Sequence, residues 1–419
     1  MPKSVLIAAL AFCPLSWIWA APRGMTPEDT YRLQTPAQLE LSPDGSTAAV
    51  VLETALEEKN SYGHTLWLVP LSGTGEWTQV GPKQADVSHP RFLENGALVY
   101  LVDQGDGAQL YVAKARSARG KRITQLKEGV EGYAASPDGT QFVVVREDPE
   151  TRTAEQLADG PIVIKRTQIQ ADGAGFLDER RSHLWIVEAS GRSEPRRLTS
   201  GPYDDGQPAW SPDGKTIAFV SNRTPDPDTN DNTDIFVIAP DGTGLRTLAA
   251  NAGPDAFPAW SHRGDKLAFI GQVRANDYYI VTRVMTVAAE GGTPCDLSGH
   301  LDTWVAGDSL NVSSTNLARL NFTPSDDAII TTFDRRGANY LASIDLARGE
   351  VRELFGGAAL IGVPRLSPDG KQLVYAQEDP THPAELYVRA LGGGAPRRLS
   401  HWHDDLLSEV KLSTLRSSA

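Results

Sequence analysis

The tetrapeptide Ser-Pro-Asp-Gly occurs four times, at residues 42–45, 136–139, 211–214 and 367–370, and a β-rich apolar run follows each copy. The third copy shows the unit most fully. Ala209 and Trp210 close one strand, Pro212 fixes φ, Asp213 bonds back to the backbone, Gly214 takes a positive φ, and Ile217 and Phe219 begin the next strand. Degenerate copies stand at Trp260-Ser261-His262-Arg263-Gly264 and Phe322-Thr323-Pro324-Ser325-Asp326. Another is Arg91-Phe92-Leu93-Glu94-Asn95-Gly96, where Asn-Gly replaces Asp-Gly. The sequence therefore predicts seven hairpins of one kind.

Each hairpin is followed by a third run of alternating pattern, at 64–69, 109–112, 183–187, 234–238, 283–287, 339–344 and 385–388. A second turn and a fourth strand close the unit, as at Leu245 to Leu248 and Pro195 to Thr199. Four short antiparallel strands per repeat make the blade of a β-propeller. The fold predicted is all-β, a seven-bladed propeller of four-stranded antiparallel blades. Trp210 and Trp260 are expected to fill the space between blades rather than to touch a ligand. No strand from either terminus is obviously reserved to complete a blade at the other.

Repeats along all 419 residues argue for one large architecture rather than two or three separate domains. The formal net charge of −13 and the lack of a Lys/Arg run argue against nucleic-acid binding.

Residues 1–20 have the layout of a secretory signal peptide: Lys3, an apolar run from Val5 to Trp19, then Ala20-Ala21. The run is too short for a permanent span to be preferred, so no membrane contact beyond the signal is expected. Leu10-Ala11-Phe12-Cys13 faintly resembles a lipoprotein box, but Phe12 and Pro14 argue against lipidation. With Cys13 removed only Cys295 stays, which excludes an intramolecular disulfide and a cysteine-type zinc site. Residues 21–36 hold a short helix with Thr26 as N-cap, Pro27 at the first helical position, and Glu28 and Asp29 at the positive end of its dipole. The propeller is expected over 37–400, and 401–419 form an exit segment.

Chemical motifs are few. The stretch from Asn222 to Asp234 alternates acids and amides as a calcium loop does. Asp231 stands where an EF-hand needs Gly and Val237 where it needs Glu, so a solvated hairpin loop is the reading. The insertion from Pro161 to Arg181 joins a strand, Ile162-Val163-Ile164, to Ala171-Asp172-Gly173-Ala174-Gly175, whose glycines read as turns rather than a phosphate loop. There is no Gly-x-Ser-x-Gly elbow. Gly307-Asp308-Ser309-Leu310 matches a lipase signature in four letters only and reads as a loop. His401-Trp402-His403-Asp404-Asp405 is the densest cluster of possible ligands and reads as a surface turn or helix start.

These residues together resemble the N-terminal propeller of the prolyl oligopeptidase family of serine peptidases, in its acylaminoacyl-peptidase and dipeptidyl-peptidase-like branch. The likeness lies in Thr26 to Asp29 before the first Ser-Pro-Asp-Gly, Glu57-Glu58-Lys59-Asn60 before Leu66-Trp67-Leu68-Val69, and Ala171 to Asp178 with His183-Leu184. Tyr203-Asp204-Asp205 and the exit from Leu406 to Ser413 carry it further. In that family the propeller gates a buried active site, and an α/β-hydrolase domain of about 250 residues follows with the Ser, Asp and His of the triad. This chain stops at Ala419, so the resemblance transfers no catalytic residue, and no cofactor-binding or metal-binding residue is assigned either. Glu57, Glu58 and Asn60 read as a solvated hairpin end. The resemblance implies the substrate-gating part of an exported serine peptidase, non-catalytic as the chain stands, with a peptide substrate or a hydrolase domain as partner. The alternative is a stand-alone periplasmic propeller that binds a protein or peptide, similar to that of the Tol system.

Overall fold

Every one of the seven predicted turns joins the first two strands of a four-stranded antiparallel sheet, and there are seven such sheets. The computed structural model describes residues 22–150, 152, 165–171, 175–274, 281–305 and 320–413. The sheets are consecutive along the chain, at 34–80, 86–122, 132–197, 205–249, 255–296, 321–356 and 360–398, and are called blades 1 to 7. In each blade the strands follow in chain order from the axis outward.

The central strands are packed on both faces. Ala48, Ala49, Val50, Val51 and Leu52 are all buried, but Val50 joins the cluster shared with blade 7 while Ala49 and Val51 join the one shared with blade 2. A period of two thus sends alternate side chains to two different cores. Seven apolar clusters result, one at each junction between neighbouring blades. Phe219, fully buried between blades 3 and 4, contributes on the order of 1.5–3 kcal/mol by leaving water. Trp210 and Trp260 lie between blades as expected but are half-buried, because each sits one residue from its turn serine, at the rim. Their Nε1–H groups donate to carbonyls of the preceding blade, Ala134 at 3.2 Å and Ala209 at 3.1 Å.

The turn chemistry repeats in detail. Ser211 Oγ donates to Asp213 Oδ1 at 2.6 Å and accepts the Thr216 N–H at 3.0 Å, and Ser42, Ser136 and Ser367 do the same. Gly214 has φ of +70°. Its Cα faces Pro137 of the preceding turn, and Gly370 likewise faces Pro324. The turns therefore touch in sequence around one face of the ring.

The predicted helix at Thr26 is a 3-10 helix, Pro27–Arg32. Asp29 Oδ2 accepts the Thr26 N–H at 2.8 Å, and Arg23 grips the same carboxylate at 2.5 and 2.7 Å. Ring closure exchanges no strand, since blades 1 and 7 are each built from one contiguous segment. Their junction is closed instead by the shared core, by Arg397 donating to the Leu71 carbonyl, and by the flanking segments. Arg23–Gly24 pairs in parallel with Val410–Lys411, and Arg32 meets Glu409 at 2.9 Å.

Candidate functional site

A cavity of about 870 Å³ runs along the axis, lined by the innermost strands of all seven blades. Five of those strands bulge before reaching their turn, at Pro36 to Gln38, Ser88 to Arg91, Gly206 to Ala209, Ala256 to Ala259 and Gly362 to Arg365. At four of the bulges a non-glycine residue has positive φ: His89 (53°), Gln207 (48°), Phe257 (58°) and Val363 (45°). Each precedes a proline. Such a conformation costs on the order of 1–3 kcal/mol and persists only where neighbours fix it. Here the neighbours are the next blades: Gln38 Oε1 accepts the His89 N–H, Gln207 Oε1 accepts the Phe257 N–H at 2.6 Å, and Tyr133 donates its hydroxyl to the His89 carbonyl at 2.7 Å. The bulges re-aim the strands and let blade hold blade around the channel.

His89 is neutral at ordinary pH, since burial, with Arg91 nearby, pushes its imidazole down to about 4. Its Nδ1 lies 3.0 Å from Ser88 Oγ, but no carboxylate orients the other ring nitrogen among the described residues. The pair lacks the orienting acid of a nucleophile–base system.

Because every inner strand runs toward its turn, its beginning lies on the opposite face, together with the paired segments Arg23–Gly24 and Val410–Lys411 and the described parts of the loops between second and third strands. That face is densely charged. Arg181 donates to Asp204 at 2.8 Å and Asp228 at 3.0 Å, and Arg166 reaches Asp228 at 3.1 Å. His183, wholly buried, lies 3.1 Å from Asp205 and 3.5 Å from Asp148. Burial pushes the Asp255 carboxyl up to about 8, with Asp234 adding to the effect, and burial pushes Asp234 up to about 6.

Similar clasps recur where each third strand begins and reaches toward the following blade. His64 meets Asp86 at 2.9 Å, Gln109 donates to the Leu126 carbonyl at 2.7 Å, and Asn339 donates to the Ile361 carbonyl at 3.0 Å. In blade 7 the residue at this place, Glu385, meets His403 of the exit segment at 3.2 Å.

The structure corrects two sequence expectations here. His401 to Asp405 does start a helix, Asp404–Glu409, but the segment is not simply surface: His403 is buried because it plugs the junction of blades 7 and 1. The loop from Asn222 to Asp234 is not merely solvated. Asn222 Nδ2 donates to the carbonyls of Pro227 (3.2 Å) and Asn230 (3.0 Å), and Asp228 is tied to two arginines. Glu57, Glu58 and Asn60 sit exposed at a hairpin tip. Ala171 pairs with Gly175 in a small two-stranded sheet. Ile162 to Ile164, Gly307 to Leu310 and the signal segment lie outside the described residues. Among the described residues no group of three or more His, Cys, Asp or Glu is placed to hold a metal ion, and no helix is long and apolar enough to cross a membrane.

Sequence reasoning missed the channel wall. Its signal was present: Pro90, Pro208, Pro258 and Pro364 each stand three residues before the turn serine or its counterpart.

No family model matches the chain. Among curated relatives, dipeptidyl-peptidase 5 of Porphyromonas gingivalis is 21% identical over 354 residues, which are 80% of this chain and 49% of that protein. YuxL, an uncharacterized peptidase of Bacillus subtilis, is 28% identical over 224 residues, 51% of this chain and 34% of that one. The Tol-Pal system protein TolB of Bordetella pertussis is 32% identical over 144 residues, 31% of this chain and 33% of that one. The chain thus spans a third to a half of the length of these relatives. Among solved structures, the acylaminoacyl peptidase of Pyrococcus horikoshii superposes with a TM-score of 0.68 at 18% identity, covering 91% of this chain and 55% of that one. The propeller domain of the trilobed protease of Pyrococcus furiosus, described as having an open velcro topology, gives 0.58 at 15% identity, covering 89% of this chain and 97% of that domain. The fold is that of peptidase propeller domains.

Proposed function

We propose that this chain is the substrate-gating, non-catalytic propeller of an exported serine peptidase of the dipeptidyl- or acylaminoacyl-peptidase kind. Its partner is then a peptide substrate or a hydrolase domain, the latter seated on the face that carries Arg23–Gly24 and Val410–Lys411, and its place is periplasmic or secreted. The observation that carries this reading is coverage: the likeness to the acylaminoacyl peptidase takes in 91% of this chain but 55% of the peptidase. A channel about 870 Å³ in volume, lined by the inner strands of all seven blades, suits a gate. The alternative, a free-standing periplasmic binder, draws on the likeness to TolB, which takes in 31% of the chain.

The test is chemical and genetic. Purified residues 21–419 are expected neither to cleave aminoacyl or dipeptidyl chromogenic substrates above buffer nor to label with a fluorophosphonate. Labelling of any serine, Ser309 included, contradicts the non-catalytic reading. A Gly-x-Ser-x-Gly reading frame in the DNA that follows the Ala419 codon supports the peptidase, and an unrelated gene there supports the binder.

A further inference from the structure

The channel carries a ring of equivalent positions, two residues before each turn serine or its counterpart. Blades 7, 1 and 2, consecutive around the axis, place Arg365, Glu40 and Arg91 there. Blades 3, 4 and 5, on the other side, place Ala134, Ala209 and Ala259, which leave the space in front of the charges open.

The three charges do not balance. Glu40 Oε2 accepts from Arg91 Nη1 at 2.9 Å and lies 3.6 Å from Arg365 Nε. One carboxylate therefore serves two guanidinium groups. Arg365 is 5% exposed, yet its Nε and Nη2 have no hydrogen-bond partner. Arg91 uses only Nη1, toward Glu40 and the Pro90 carbonyl, so the planar fork of Nε and Nη2 is free among the described residues. His89, neutral beside them, neither adds charge nor removes it. The remaining channel carboxylates among the described residues, Glu94 and Glu131, lie one in a turn and one just before a strand begins, at the two ends of the inner strands. A confined guanidinium without a full counter-charge is unfavourable, and a side-on arginine fork matches the two oxygens of a carboxylate or phosphate.

We propose that this ring is an oxyanion site in the axial channel, taking a carboxylate or phosphate group on the Arg91 fork, with Arg365 supplying charge from behind Glu40. Burial, reinforced by the charge of Arg91, pushes Arg365 down to about 10, so it still carries its proton at neutral pH. The site belongs to the propeller alone and does not depend on the peptidase reading.

Calorimetric titration of the purified chain with inorganic phosphate, with triglycine and with triglycinamide tests it. At least one oxyanion is expected to bind saturably. Arg91→Gln is expected to weaken that binding at least tenfold, and Arg91→Lys, which keeps the charge and loses the fork, to weaken it as well. Glu40→Gln is expected to tighten it several-fold, because the internal competitor is gone; a merely structural role for Glu40 would not do this. Triglycine binding without triglycinamide binding identifies a peptide carboxylate as the ligand, and phosphate binding alone identifies a free oxyanion. No saturable binding of phosphate or triglycine, or an affinity unchanged in a folded Arg91→Gln variant, overturns the proposal. Arg91 has a side chain 38% exposed, so its variants are expected to fold and to decide the matter even where Glu40→Gln does not.

Discussion

His403 Nε2 accepts the backbone N–H of Gln34 at 3.0 Å, joining residues 369 positions apart. Its Nδ1 faces Glu385 at 3.2 Å, so the ring donates to blade 7 and accepts from blade 1. One imidazole ring thereby spans the junction between blades 7 and 1.

Replacing that residue tests the closure. His403→Ala is expected to lower stability by about 1–3 kcal/mol, because a half-buried N–H and a buried carboxylate each lose a partner. His401→Ala serves as control, since His401 is exposed and among the described residues pairs with Asp404 alone. Urea unfolding of both variants gives the comparison, and equal midpoints would remove His403 from the closure.

The turn glycines offer a graded test. Gly214→Val is expected to cost on the order of 1–3 kcal/mol, because a β-branched residue is forced to a φ of +70°. Gly370 has the same φ, but an added Cβ there meets Pro324 Cδ at 2.8 Å, whereas at Gly214 it meets Pro137 Cδ at 3.7 Å. Gly370→Ala should therefore melt lower than Gly214→Ala. The reverse order would mean that the rim of turns is looser than drawn.

Trp210→Phe keeps an aromatic ring between blades 3 and 4 and deletes the N–H that reaches Ala134. The expected loss is about 0.5–1.5 kcal/mol. Trp304, among the exposed large side chains, is the reference, and its change to Phe should leave the denaturation midpoint in place.

Asp255 is expected to contribute stability that is lost as pH rises from about 4 to 8, against His89, which, held down to about 4, contributes in the opposite direction below 6.5. Asp255 keeps its proton in the folded chain up to about 8, while the unfolded chain releases it near 3.8, so over that interval the folded state binds more protons. Asp234, pushed up to about 6, acts in the same direction over the lower part of the interval. Asp255→Asn should flatten the dependence and melt higher than the parent at pH 8. Melting profiles of the two proteins that run parallel across the interval would contradict the assignment.

The blades were legible because the information that makes them is local. A serine, a proline, an aspartate and a glycine in a row specify a turn whatever surrounds them, and alternation specifies the strands on either side. The Thr26 cap was legible for the same reason, with the helix closing as a 3-10 turn. What escaped was held between distant segments. The parallel pairing of Arg23 with Val410, and the burial of His403 against Glu385, require the ring to be closed before either partner has a neighbour. The channel wall was half visible: the prolines at fixed distance from the turns mark the bulges. Nothing local shows that Glu40, Arg91 and Arg365 stand side by side, since they come from three blades that touch only in the finished ring. The loop from Asn222 onward was misjudged because its order comes from Arg166 and Arg181, on a different blade.

The contiguous build of blades 1 and 7 bears on how this ring can be re-cut. Arg23–Gly24 and Val410–Lys411 lie side by side, so a short linker between them would bridge the one gap in the covalent circle. The break could then be moved into any of the other inter-blade connections without dividing a sheet. Such circular permutants would keep the same seven cores and the same rim of turns in a different chain order, because no blade relies on a strand borrowed from the far end of the polypeptide.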